Sequence, residues 1–159
     1  MKQISEEVIE KSLAFINNAS DEILNLKSEE YADNYETLVA YVFQTAAEEN
    51  DEDLLGYLVY YYTLIMNIFE TAGYHIPEVS DSMIDAFHDE YLELIEEFQE
   101  DEDYSDLSTF IGQPTLMSFL IQDMEMEDED GSKIDEELQS MLNMILIGFV
   151  GVLNRAVNQ

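Results

Sequence analysis

The chain has no cysteine, two prolines, six glycines and only five lysines and arginines in 159 residues. Each scarcity excludes something. Without cysteine there is no disulfide framework, no thiolate metal site and no cysteine nucleophile, which fits a reducing compartment. The few glycines form no phosphate-cradling loop, and no serine stands in a nucleophile elbow. The opening residues Met1-Lys2-Gln3-Ile4-Ser5-Glu6-Glu7 hold no apolar stretch and no small-residue cleavage site. A secretory leader is therefore not expected, and a cytoplasmic location is.

The shortage of positive charge is the most informative of these. Against five basic residues, Lys2, Lys11, Lys27, Lys133 and Arg155, stand 37 acids, for a formal net charge of −32. From Ser28 to Ser132 there is no lysine or arginine, yet this segment holds 29 of the 37 acids. Ion pairs within the chain cannot neutralise it. Binding to phosphates needs cationic side chains that displace condensed counterions, so such a surface repels nucleic acid and anionic membranes. The expected partner is a basic protein.

What is present in quantity is apolar. Hydrophobic residues make up 47% of the chain, with ten tyrosines and eight phenylalanines, a composition foreign to disordered acidic chains. A chain of this length buries about two-thirds of its unfolded surface on folding, enough for one domain spanning residues 1–159. Apolar residues recur every three or four positions almost throughout, and no strand-length alternation occurs. The fold expected is all-α, a single bundle of five to seven helices around two central hydrophobic ones.

A first helix is predicted from about Ile4 to Asn17, with Ile4, Val8, Ile9, Phe15 and Ile16 inward. A short turn near Ser20–Leu26 follows, and then Ser28 is expected to cap a helix carrying Tyr31, Tyr35, Leu38, Val39, Val42 and Phe43. After an acidic break at Glu48–Asp53, Asp51 caps a helix from Leu54 to about Ala72 that is apolar nearly all round, hence central. Gly73 ends it, and Pro77 lies in the loop beyond. Ser80 or Asp81 opens an amphipathic helix to about Phe98, Pro114 starts a shorter one to about Gln122, and Ser132 is expected to cap the last, from Ile134 to about Ala156. The run from Met141 to Leu153 is short of the roughly 20 apolar residues a bilayer requires. It reads as a buried helix or a subunit interface, with homo-oligomerisation through it a possible use, and Gly148 and Gly151 would admit a close neighbour.

With so many carboxylates, acidic metal motifs arise by chance and need a geometric check. Glu7-x-x-Glu10 followed by Glu30-x-x-Asp33 resembles the paired acids of MazG-type all-α nucleotide pyrophosphohydrolases. That resemblance implies a magnesium-dependent hydrolase, an alternative reading of function. Yet all four acids point away from the apolar stripes of their helices, whereas in that family they converge inside the bundle. A calcium loop with Gly131 at its sixth position has Met126 where the first ligand belongs. For a di-iron bundle, which requires two Glu-x-x-His pairs, there are only His75 and His88. No catalytic residue, metal ligand or cofactor site is therefore assigned.

One pattern remains. Asp85, Asp89, Glu93, Glu96 and Glu100 fall within an arc of about 80° of their helix, opposite Met83, Ile84, Phe87, Tyr91, Leu94, Ile95 and Phe98. The ridge would extend about 22 Å with a charge roughly every turn, near the phosphate spacing of one nucleic-acid strand. Together with Glu48, Glu49, Asp51, Glu52 and Asp53, and with Asp123, Glu125, Glu127, Asp128, Glu129 and Asp130, it forms the candidate partner-binding surface. Acidic immunity proteins against nucleases and nucleic-acid mimics of the anti-restriction and anti-CRISPR kinds share this general character. The expected function is thus non-enzymatic inhibition of a basic, nucleic-acid-binding protein, with a helical adaptor or homo-oligomeric structural protein as the other alternative.

Overall fold

The computed structural model describes residues 3–101, 104–126 and 131–158, and the side chains of all of these except 98–101, 104 and 105. Among them are eight α-helices and no strand: α1 Glu6–Asn18, α2 Asp21–Asn34, α3 Glu36–Glu49, α4 Glu52–Thr71, α5 Asp81–Asp101, α6 Tyr104–Ile111, α7 Pro114–Glu125 and α8 Glu136–Val157. The all-α expectation holds, with one helix more than the upper bound. The extra one is α6, an eight-residue helix whose Leu107 and Ile111 are buried. Between an acidic run and Gly112 it is too short for periodicity to announce.

The N-terminal boundaries shift for a tertiary reason. Ser20, not Ser28, caps α2, its Oγ accepting from the Ile23 amide at 3.3 Å. Ser28 lies inside the helix and shares a 2.9 Å hydrogen bond with Thr63 Oγ1 of α4. The break falls instead at Tyr35 (φ −137°, ψ 54°), whose hydroxyl donates to the Ile76 carbonyl at 3.1 Å. In α1 the inward stripe is Ile9, Ser12 and Ile16, which turns Phe15 out to 40% exposure. Ser12 is accommodated there because its hydroxyl donates to Thr71 Oγ1. The last helix is capped by Asp135, whose Oδ1 accepts from the Leu138 amide at 2.9 Å, in place of the expected cap at Ser132.

The two apolar helices meet at the centre. α4 touches α1, α2, α3 and α8, and α8 touches α3, α4, α5, α6 and α7. The rings of Tyr62 and Phe149 stack between them, centroids 5.2 Å apart. Residues 145–154 of α8 are buried without interruption, so the apolar run packs against the chain's own helices. By length and composition the whole of α8 could cross a membrane, but 67% of its most apolar window is buried in the fold. Gly148 and Gly151 do admit close neighbours: a Cβ at Gly148 would lie 2.8 Å from both Tyr41 and Tyr91, and one at Gly151 2.5 Å from Phe87. Gln113, wholly buried, accepts from the Ile4 amide at 2.9 Å and donates to Asn154 Oδ1 at 2.8 Å. It thereby ties the segment before α1 to α8.

Candidate functional site

α5 is anchored by Ile84, Phe87 and Tyr91, all buried, with the Tyr91 hydroxyl donating to the Met144 carbonyl of α8 at 2.6 Å. That anchoring sets the rotation of the helix and so which residues face water. Asp85, Asp89, Glu93 and Glu96 are all exposed, as their spacing requires. Glu100 lies on the same helix, its side chain outside those described. Arg155 pairs with Glu90 at 3.1 Å, on the flank of α5 beyond the ridge.

Where they are described, the acids of the other two segments lie at helix ends. Glu48 and Glu49 close α3, Asn50 adopts the left-handed conformation, and Asp51 caps α4 by accepting from the Leu54 amide at 3.1 Å. Glu52 and Asp53 occupy the first turn of α4, where the helix dipole favours them. Asp123 and Glu125 sit in the last turn of α7. Glu127, Asp128, Glu129 and Asp130 lie outside the described residues.

Tertiary packing brings some of these acids together in two clefts. The first, about 620 Å³, lies between the start of α4, the end of α7 and the approach to α8. Glu52, Asp53 and Asp123 line it with Gly56, Tyr57, Tyr60 and Tyr61. The Tyr61 hydroxyl donates to Asp123 Oδ2 at 2.7 Å, and its ring meets that of Tyr60 edge-on at 5.0 Å. Burial, reinforced by the Asp123 carboxylate, raises both phenols above their ordinary range. The second cleft, also about 620 Å³, runs between α3, α5 and α8 and joins Asp85 of the ridge to Glu48. Tyr41 and His88 share a 3.4 Å hydrogen bond in it, and Leu92 and Met144, each 42% exposed, form part of its wall. Asp89, Glu93, Glu96 and Glu125 line neither cleft.

The acids of the hydrolase-like pattern do not converge. Glu7, Glu10, Glu30 and Asp33 are all exposed, and among the described residues no group of three or more histidines and acids is placed to hold a metal ion. Sequence periodicity does not separate the tyrosines of the first cleft from the core, because α4 reads as apolar nearly all round. The available signal was Gly56, in register with Asp53, Tyr57 and Tyr60. Comparison with known protein families, with curated proteins and with solved structures gives no match.

Proposed function

We propose that this is a non-enzymatic acidic protein that docks on the cationic, nucleic-acid-binding surface of another protein and blocks it. The observation that carries this reading is the outward face of α5. Asp85, Asp89, Glu93 and Glu96 stand exposed in a segment that contains no lysine or arginine from Ser28 to Ser132. An uncancelled field of this kind accelerates encounter with a positive surface and opposes encounter with a polyanion. Folding against such self-repulsion costs stability, which a few lysines would relieve, so the field is better explained by a use than by chance.

The test begins with the partner captured from the native host by salt-reversible binding. Changing Asp85 and Asp89 to Asn and Glu93 and Glu96 to Gln removes the ridge charge and leaves the buried side of α5 as it is. Association should slow by about tenfold or more at low salt, with dissociation less affected. The partner should be unable to hold nucleic acid and this protein together. A stable ternary complex, or undiminished inhibition by the neutralised variant, would overturn the reading.

A further inference from the structure

Gly56 is unexplained by the packing of the fold. It lies inside α4 at an exposed position, where glycine is a poorer helix former than alanine. A Cβ placed on it would meet no atom within 4 Å. Gly148 and Gly151 differ, since side chains of neighbouring helices occupy the space that a Cβ would need. Gly56 lines the first cleft with backbone alone.

Asp53, Gly56, Tyr57 and Tyr60 fall within an arc of about 100° on α4. Gly56 lies between Glu52 and Tyr60 along one i, i+4 row of the helix, Asp53 and Tyr57 lie on the adjoining row, both tyrosines are half-buried, and the Tyr61-bound Asp123 stands across the cleft. Aromatic faces beside carboxylates are the surroundings that a planar cation prefers. The N-terminus of α4 opposes a cation with about half a positive charge, but the two carboxylates of its first turn outweigh it. A guanidinium suits this geometry better than an ammonium: it stacks flat on a ring while its fork of donors reaches a carboxylate, and it gives up its hydration more readily.

We propose that this cleft receives an arginine side chain of the basic partner, seated over Gly56 beside Tyr60 and Tyr57 and held by Glu52 and Asp53. The proposal rests on the reading of the protein as a binder of a basic protein, and it specifies the residue that the partner inserts. The experiment is an NMR titration of the intact chain with acetyl-Gly-Arg-Gly-amide and with its lysine counterpart at equal ionic strength. The arginine peptide should shift the amide signals of Gly56, Tyr57 and Tyr60 in a saturable way, about threefold or more tighter than the lysine peptide. Gly56→Leu, which fills open space with a better helix former, should weaken it about tenfold without lowering the melting temperature, and Tyr57→Leu provides a second variant with the same expectation. The neutralised α5 ridge should bind the arginine peptide with its selectivity over lysine unchanged. Equal responses to the two peptides, shifts spread evenly over the acidic helices, or wild-type affinity in both cleft variants would overturn the arginine site. A ternary complex of partner, nucleic acid and this protein bears on the inhibitor reading instead, and leaves the selectivity of the isolated chain untouched.

Discussion

Gly56 and Gly151 both sit inside long helices, and their neighbourhoods assign alanine opposite effects. At Gly151 a methyl group would press on Phe87, whose ring is stacked between Tyr91 at 5.4 Å and Phe110 at 5.2 Å. That stack has little room to retreat, because the Arg155 guanidinium covers both Phe87 and Phe110. Overpacking of this sort exceeds the propensity gain, so Gly151→Ala should lose about 1–2 kcal/mol. Gly56→Ala should gain about 0.5–1 kcal/mol, since only the propensity term remains. Urea unfolding of the two variants measures both, and an unchanged denaturant slope would show that stability changes without a change in the surface exposed on unfolding.

At the scale of the helix, the placement of charge is favourable at one end and unfavourable at the other. Acids occupy the first turn of α1 through α6 and of α8, often beside a capping Ser or Asp, and there they complement the dipole. Only α8 has a basic residue in its last turn, and α3 and α7 end on acids that their dipoles disfavour. Glu49→Lys should therefore stabilise the fold by about 0.3–1 kcal/mol at low ionic strength, an increment that added salt removes. A melting temperature that falls, or a gain indifferent to salt, would contradict this account of the helix ends.

Across the whole molecule, two opposing properties meet: a surface of net charge −32 and a core rich in tyrosine. Raising ionic strength from about 0.01 to about 1 M shortens the screening length tenfold and should raise the melting temperature. The tyrosines set a limit at the alkaline end. Burial above all pushes the phenols of Tyr31, Tyr41, Tyr61, Tyr62 and Tyr91 well above their ordinary range. The unfolded chain releases these protons near pH 10 while the folded chain retains them, so above about pH 10 the unfolded state binds fewer protons and stability falls as pH rises. Below that value these groups impose no pH dependence. Tyrosinate absorbance from these five rings should consequently appear in step with loss of helical circular dichroism, and a phenolic titration completed with the helices intact would contradict the burial described for them.

Periodicity, caps and charge belong to neighbouring residues, and these were legible in the chain alone. They suffice for the all-α class, for the positions of α4 and α8, for the Asp51 cap and for the outward orientation of Asp85, Asp89, Glu93 and Glu96, because a helix turn relates residues three and four apart whatever surrounds it. The junctions were not legible. Ser28 could have capped a helix, and it lies within one because Thr63 offers its hydroxyl a partner; Tyr35 breaks the chain where its own hydroxyl reaches Ile76. Nor could local pattern place Asp123 beside Tyr61, 62 residues away, or face Glu52 and Asp53 across a cleft from it. The sequence by itself determined the helices and the sign of their outer surface, through interactions that span one turn. Only the tertiary structure decided which acids and tyrosines share a cleft, because that depends on how whole helices pack, and packing is settled by contacts between residues far apart in the chain.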